Sequence, residues 1–232
     1  MDNQQLALII PAAGAGERIG GETPKPYLKI SGKTILELTL TRFKNVSGLG
    51  EVIVSTSLDY IEPTQELLTR LFPDIRTVVV EGGKERQDSI RNALKMISGK
   101  TGLIAVHDAV RPFVDPEDIE KCIEKASRWG GAVLAVPAKD TIKIAGTNQE
   151  ILKTPDRNSM WHAQTPQVFW AALLREAYDH AEQYKLMGSD DSSLVEQVGG
   201  KVVLVEGSAK NFKITFPLDL QIAGWLLKEG IV

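Results

Sequence analysis

The sequence is poor in the residues that form disulfides and metal sites, with one cysteine and three histidines among 232 residues. Cys122 cannot form an intrachain disulfide, and neither a histidine nor a second cysteine stands near it in the chain. The histidines at 107, 162 and 180 are not spaced as zinc ligands. These shortages exclude a disulfide-stapled scaffold and argue against a zinc site. We expect Cys122 to fill space in the core.

The chain also lacks a long apolar run and a strong excess of either charge. The first apolar segment, residues 6–10, is too short for a signal-peptide core or a membrane span, and no cationic run precedes it. We therefore expect a cytoplasmic protein with no membrane partner. Because 27 basic and 30 acidic residues give a formal net charge of only -3, we expect no nucleic-acid partner, and any phosphate site must be local.

What the chain does contain is a regular alternation of β-rich runs and segments with helical periodicity. The predicted strands cover residues 6–10, 52–56, 77–81, 103–107, 132–137 and 201–205. The predicted helices cover residues 35–43, 63–71, 87–97, 116–129 and 170–182. With 43% hydrophobic residues and no repeat or linker composition, this alternation predicts a single α/β domain over residues 1–232, with a doubly wound, mostly parallel sheet.

One stretch breaks this alternation. Between Thr141 and Thr154 two β-like runs flank the polar turn Gly146-Thr-Asn-Gln149, which predicts a hairpin leaving the main sheet. An isolated hairpin is marginally stable in water, so its apolar residues need a partner surface. On this pattern alone, an ordinary edge hairpin and an arm between subunits, at about residues 138–158, are equally good interpretations.

A loop of small residues follows the first predicted strand, running Pro-Ala-Ala-Gly-Ala-Gly-Glu-Arg from Pro11 to Arg18. Small residues let backbone N–H groups approach phosphate oxygens, and open α/β sheets bind ligands beyond the carboxyl ends of their strands. Ile19 stands where a dinucleotide-binding fingerprint needs its third glycine, and the lysine of a P-loop is missing. On these residues alone, a tight turn without a ligand is as good an interpretation as a phosphate loop.

The next motif, Pro24-Lys25-Pro26, holds a lysine in a defined backbone segment because the flanking prolines restrict the chain. A guanidinium at Arg18 and an ammonium at Lys25 beside a glycine-rich loop suit nucleotidyl transfer, where catalysis is mostly positioning and charge stabilisation. The combined pattern resembles the nucleotidyltransferases with a Rossmann-like, sugar-nucleotide-pyrophosphorylase-like fold.

Further motifs narrow the resemblance to the 2-C-methyl-D-erythritol 4-phosphate cytidylyltransferases. They extend over nearly the whole chain and comprise residues 82–89, 106–112, 140–141, 156–158, 161–167, 189–191 and 213–215. The resemblance implies transfer of CMP from CTP to 2-C-methyl-D-erythritol 4-phosphate, a phosphorylated polyol, with release of pyrophosphate. It also implies a homodimer joined through the 138–158 arm, and Mg²⁺ or another divalent cation as cofactor.

The resemblance further implies roles for individual residues. The cations expected to act on the reacting phosphates are Arg18, Lys25, Arg157 and Lys213, with Arg157 offered across the dimer interface. The nucleotide is expected against Ala12, Ala13, Gly14, Gly16, Gly83, Lys84, Ser89 and Ala109. The polyol substrate is expected against Asp108, Arg111, Thr141 and Ser189. Mg²⁺ is expected mainly on the CTP phosphates, with Asp108 as a further candidate ligand.

Some of these residues also have plain structural interpretations. Asp108 and Arg111 are close enough in the chain to form an ion pair, and a structural pair is as good an interpretation as a functional one. Ser89 follows a Gly82-Gly83 turn that opens a helix. We expect Thr165 and Gln167 to shape a loop rather than to take part in chemistry.

The implied reaction is in-line attack of the substrate phosphate on the α-phosphorus of CTP. A phosphate is already an anion at neutral pH, so no general base is needed. Three alternatives remain open on the sequence. They are a ribitol 5-phosphate cytidylyltransferase, a nicotinamide dehydrogenase, against which Ile19 argues, and a catalytically inactive nucleotide-binding protein.

Overall fold

The computed structural model of the chain describes residues 5–14 and 23–231. Its strands are β1 (Gln5–Pro11), β2 (Lys29–Ile30), β3 (Lys33–Thr34), β4 (Leu49–Thr56), β5 (Arg76–Glu81), β6 (Thr101–Val106), β7 (Gly131–Pro137), β8 (Ile144–Ala145), β9 (Ile151–Lys153), β10 (Trp161–Trp170) and β11 (Val202–Glu206). Its α-helices are α1 (Ile35–Thr41), α2 (Ile61–Leu71), α3 (Arg86–Leu94), α4 (Pro116–Trp129), α5 (Ala171–Tyr184), α6 (Asp191–Gln197) and α7 (Pro217–Lys228). Short 3₁₀ helices cover Lys25–Tyr27, Leu58–Tyr60 and Arg157–Ser159.

Seven strands form the central sheet in the order β11-β7-β10-β6-β1-β4-β5. β10 runs antiparallel to both of its neighbours, whereas the other pairs are parallel. The expected α/β fold with a mostly parallel sheet is confirmed, and each of the six predicted strands has a counterpart in the sheet.

The sheet is buried on both faces, as a doubly wound sheet requires. Along β1, Leu8 and Ile10 belong to one apolar cluster while Ala7 and Ile9 belong to another, because successive side chains point to opposite faces. Buried side chains of α1, α2 and α4 pack into the first cluster, and those of α3, α5 and α6 into the second. Cys122 of α4 is fully buried, as expected, and burial raises the pKa of its thiol to about 12.

A third apolar cluster joins α7 to the loop that follows β6. It includes Leu226 of α7, Phe113 and Ile214. The backbone N–H of Ile214 donates to the carbonyl of Val110 over 2.9 Å. This packing fixes the segment just before α7 beside the carboxyl end of β6.

The predicted hairpin is present as β8 and β9, which pair antiparallel in a sheet separate from the main one. Gln149 in the turn adopts a positive φ of 65°, a conformation that non-glycine residues rarely take. The apolar side chains of Ile144, Ile151 and Leu152 are 47–63% exposed. The described part of the chain therefore does not cover the apolar residues of this hairpin.

Strand β10 was not predicted, and Thr165 and Gln167 lie within it rather than in a loop. Pro166 explains the miss, because a proline within a run argues against a strand. The pairing of β10 with β7 shifts register between Ala163 and Gln167, so the proline lies at an irregularity of the ladder. Helices α6 and α7 were not predicted either.

None of the helices in the described part of the chain is both long enough and apolar enough to span a membrane.

Candidate active site

The main cavity lies at the carboxyl ends of β1, β5 and β6, where the loops after these strands meet. It has a volume of about 580 Å³. Ten of the residues selected from the sequence line it, namely Ala12, Ala13, Gly14, Lys25, Gly83, Lys84, Ser89, Asp108, Ala109 and Lys213. Gly16 and Arg18, which the sequence analysis assigned to the same loop, lie outside the described residues.

Lys25 opens a 3₁₀ helix, and Pro24 before it is extended with φ −60° and ψ 141°. Its side chain lies in the cavity wall and is only 9% exposed. Gly14, in contrast to the buried Lys25, has free space beside it among the described residues, because a Cβ placed on it would meet no described atom within 4 Å. As far as the described residues go, there is room beside Gly14 for a phosphate to approach the backbone.

The turn after β5 packs tightly against the small-residue loop. A Cβ placed on Gly82 would lie 2.2 Å from the Cβ of Ala13, and one placed on Gly83 would lie 2.1 Å from the Cβ of Asp88. The Ser89 hydroxyl accepts a hydrogen bond from the Gly83 N–H over 3.0 Å. Glycine is therefore required at both positions because other chain segments approach closely.

Asp108 is the electrostatic centre of the cavity wall. Its Oδ1 lies 3.2 Å from Arg86 Nε, and its Oδ2 lies 3.2 Å from both Arg111 Nε and Lys213 Nζ. Burial alone would raise the pKa of this carboxyl, but the Arg86, Lys213 and Arg111 cations hold it well below its usual range. The ion pair that the close spacing of Asp108 and Arg111 allowed is present, and Asp108 stays anionic at neutral pH.

Arg86 was missed as a site residue, although it lies within the motif at residues 82–89. Its Nη2 lies 2.9 Å from Asp191 Oδ2, and the hydroxyl of Tyr178 donates to Asp191 Oδ1 over 2.6 Å. Asp191 has no exposed surface. The sequence gives no signal for this pairing, because 105 positions separate Arg86 from Asp191 and only the fold brings them together.

His107 and Thr165 support Asp108 from behind. The Asp108 N–H donates to Thr165 Oγ1 over 3.0 Å, and the Thr165 hydroxyl lies 3.1 Å from His107 Nδ1. His107 Nε2 donates to the carbonyl of Arg111 over 3.0 Å, which leaves Nδ1 to accept from Thr165. Burial lowers the pKa of His107 to about 4, so the ring is neutral and serves structure. Thr165 thus supports the site from strand β10, whereas the expectation that it shapes a loop was wrong.

A second cavity of about 310 Å³ adjoins the first and shares Arg86, Asp108 and Lys213 with it. It brings in Arg111 and Ser189. The structure thus places three of the four residues assigned to the polyol around one space, next to the loops assigned to the nucleotide.

Of the assigned residues that the structure describes, two line neither cavity of their own chain, namely Thr141 and Arg157. Both are exposed. Arg157 follows the hairpin and donates from Nη1 to the Lys139 carbonyl over 3.0 Å. The structure of one chain therefore does not bring these two residues to the other assigned residues that it describes.

The described residues hold no cluster of three or more histidine, cysteine or acidic side chains suited to a metal ion. Asp108 is the assigned carboxylate in the main cavity. Mg²⁺ is often bound by one or two carboxylates together with substrate phosphates, so a single carboxylate fits such a site.

The model of one protein family, 2-C-methyl-D-erythritol 4-phosphate cytidylyltransferase, matches residues 6–229. The chain is 40% identical to the protein of that name from Caldanaerobacter subterraneus subsp. tengcongensis, over 97% of this chain and 99% of the relative. It is 38% identical to the one from Symbiobacterium thermophilum, over 97% of this chain and 93% of the relative.

Solved structures agree with these relatives. The 4-diphosphocytidyl-2C-methyl-D-erythritol synthase of Anaerococcus prevotii superposes with a TM-score of 0.88 at 29% identity, covering 98% of this chain and 97% of the other. The 2-C-methyl-D-erythritol 4-phosphate cytidylyltransferase of Thermus thermophilus superposes with a TM-score of 0.80 at 36% identity, covering 97% of this chain and 100% of the other.

Proposed function

The chain belongs to the family of 2-C-methyl-D-erythritol 4-phosphate cytidylyltransferases, and from this membership we propose how its own residues perform the reaction. The enzyme transfers CMP from CTP to 2-C-methyl-D-erythritol 4-phosphate in the non-mevalonate route to isoprenoids. The products are 4-diphosphocytidyl-2-C-methyl-D-erythritol and pyrophosphate.

CTP lies over the main cavity, with its phosphates against the backbone of Ala12, Ala13 and Gly14. The room that the described residues leave beside Gly14 supports this placement, since a phosphate needs such room. The base and ribose contact the facing wall, which comprises Gly83, Lys84, Ser89 and Ala109. Gly16 completes the phosphate loop in this proposal.

Lys25 and Arg18 stabilise the charge that develops on the α-phosphate during in-line attack. The burial of Lys25 in the cavity wall supports its role, because a charge in a partly dry site acts more strongly than one in water. No general base is needed, and the neutral His107 has both ring nitrogens engaged with protein partners.

Lys213 orients the attacking phosphate of the substrate. Asp108 holds the Lys213 ammonium at the border of the two cavities, where a phosphate entering beside Arg111 and Ser189 would meet it. Asp108 keeps its negative charge at neutral pH and accepts a hydrogen bond from a hydroxyl group of the polyol. In this arrangement one chain supplies most of both subsites.

We further propose that Mg²⁺, or another divalent cation, binds mainly through the CTP phosphates with Asp108 as the candidate protein ligand. When bound, the ion neutralises phosphate charge and polarises the reacting phosphorus. Direct binding to Asp108 must compete with its three cationic partners, which favours the phosphates as the main ligands.

The site is completed by a second copy of the chain in a cytoplasmic homodimer. Two observations support this proposal. The apolar residues of the hairpin are exposed, and Thr141 and Arg157 lie outside the cavities of their own chain. An arm reaching into the partner would cover the first group and bring the second to the substrate phosphate.

The convergence of Lys25, Asp108 and Lys213 on one cavity beside the small-residue loop carries the mechanism. The test is pyrophosphate release with CTP and Mg²⁺, run in parallel with methylerythritol 4-phosphate and ribitol 5-phosphate, with ATP, GTP and UTP as controls. We expect release only with CTP and methylerythritol phosphate. Preference for ribitol phosphate would keep the mechanism and change the substrate, whereas no release from a folded, CTP-binding protein would contradict both.

A further inference from the structure

Tyr27 closes the 3₁₀ helix that begins at Lys25. Its hydroxyl is hydrogen-bonded to Thr56 Oγ1 over 2.5 Å and to Thr64 Oγ1 over 2.8 Å. Both threonines are fully buried, one at the end of β4 and the other in α2. The helix that carries Lys25 is therefore fastened to two rigid elements through one hydroxyl group.

The ring of Tyr27 is held as firmly as its hydroxyl. It stacks on the ring of Tyr60 with centroids 3.9 Å apart and an interplanar angle of 23°. Burial raises the pKa of Tyr27, so the hydroxyl keeps its proton at neutral pH and can donate as well as accept. The stacking of the ring and the two hydrogen bonds of the hydroxyl together hold the Tyr27 side chain in one position.

Thr56 connects this anchor to the nucleotide side of the cavity. Its carbonyl accepts a hydrogen bond from the Gly82 N–H over 2.8 Å, at the turn that leads into Gly83. The same residue thus holds the helix of Lys25 through its side chain and the Gly82-Gly83 turn through its backbone. Thr56 therefore fixes the spacing between these two walls of the cavity.

We propose that Tyr27 is a positioning residue for Lys25, fixing the ammonium group relative to the bound nucleotide. This inference rests on the role proposed above for Lys25. A lysine has a flexible four-carbon stem, so its catalytic placement depends on a fixed backbone origin. A displacement of about 1 Å at a reacting group can cost roughly 100-fold in rate.

Tyr27→Phe is the direct test, because it keeps the ring and its stacking while removing both hydrogen bonds. We expect kcat to fall by about 10- to 100-fold while KM for CTP changes less than about 3-fold. Tyr60→Phe is the matched control. It keeps the other ring of the stack and removes a hydroxyl that has no hydrogen-bond partner among the described residues, so kcat should stay near wild type.

A double-mutant cycle distinguishes positioning from a general loosening of the fold. If Tyr27 acts through Lys25, adding Tyr27→Phe to Lys25→Ala should lower kcat no further. A further tenfold loss in the double variant would assign Tyr27 a merely structural role and overturn the inference. Thr64→Val removes one of the two hydrogen-bond partners of the Tyr27 hydroxyl and should give a smaller loss of kcat. This variant replaces Tyr27→Phe in the test if Tyr27→Phe does not fold.

The cycle also separates this inference from the proposal on which it rests. Near-normal turnover of Lys25→Ala would overturn the role of Lys25 and the positioning role of Tyr27 together. An impaired Lys25→Ala beside a Tyr27→Phe variant with wild-type kcat would leave Lys25 in place and overturn only the role of Tyr27.

Discussion

The cavity wall and the hairpin arm contribute residues to the same proposed site, yet they are built in opposite ways. In the wall, Asp108 contacts three cations of its own chain. In the arm, Ile151 is 63% exposed, and Arg157 donates a hydrogen bond to the backbone carbonyl of Lys139. Folding of one chain therefore prearranges the wall, whereas the described residues of that chain leave the apolar side chains of the arm uncovered, as the proposed dimer requires.

The largest expected effect tests the wall. Lys25→Ala should lower kcat by about 100- to 1000-fold, because it removes a preorganised charge from the reacting phosphate. Lys29→Ala removes a similar charge from an exposed position just beyond the same 3₁₀ helix and should leave kcat near wild type. Steady-state pyrophosphate release measures both, and a urea unfolding midpoint near wild type would show that Lys25→Ala is folded. Equal rates for the two variants would contradict the role of Lys25.

The second effect tests whether the arm acts on its own chain or on its partner. Arg157→Ala should lower turnover by about 100-fold when it is the sole variant present, because the attacking phosphate loses a cation. Coexpressed Lys25→Ala and Arg157→Ala chains should recover about a quarter of wild-type activity. Half of randomly paired dimers are mixed, and each mixed dimer has one site with both residues intact. Absence of recovery from purified mixed dimers would place Arg157 in its own chain's site.

The third effect lies behind the wall, at His107. Its folded pKa of about 4 is below the unfolded value of 6.5, so the unfolded chain binds more protons between these two pH values. The resulting stability, roughly 3 kcal/mol, is fully present above pH 6.5 and is lost as the pH falls through 4.

Urea unfolding between pH 7 and pH 4 measures this loss. His107→Gln should flatten the pH dependence of the unfolding free energy. His162→Gln, at an exposed position in the first half of β10, is the matched control and should leave it unchanged. An equal slope in wild type and His107→Gln would show that this histidine does not couple folding to pH.

The smallest effect on stability is expected in the arm. Ile151→Asp should change the unfolding free energy of the monomer by no more than about 0.5 kcal/mol, because the side chain is largely exposed. It should nevertheless dissociate the dimer, since a charge replaces an apolar contact. Light scattering and sedimentation measure the mass, with Thr147→Asp in the hairpin turn as control. A dimer that survives Ile151→Asp would show that this face of the arm is not the interface.

The sequence predicted the parts of the fold that are locally encoded. Apolar runs such as 6–10 and 103–107 became buried parallel strands because their composition suits no other place in an α/β fold. The strand containing Pro166 was missed because its local preferences oppose its structure, and only its neighbours in the sheet hold it there.

The same distinction applies to the site. The loop at Gly14 and the Asp108–Arg111 pair were predicted because their residues are close in sequence. The Arg86–Asp191 pair was not, because neither residue carries a mark of its partner 105 positions away. The role of Arg157 stays a prediction for a related reason, because the site proposed for it belongs to a second chain, which the contacts within its own chain do not encode.

The contact between Gly82 and Ala13 limits which related sequences can exist. The space between the two backbones accommodates one methyl group, and Ala13 already occupies it. Natural variation at these positions should therefore be reciprocal, with alanine at position 82 tolerated only where glycine has replaced Ala13. A pair of residues 69 positions apart would then change together through evolution, because the backbone of one packs against the side chain of the other.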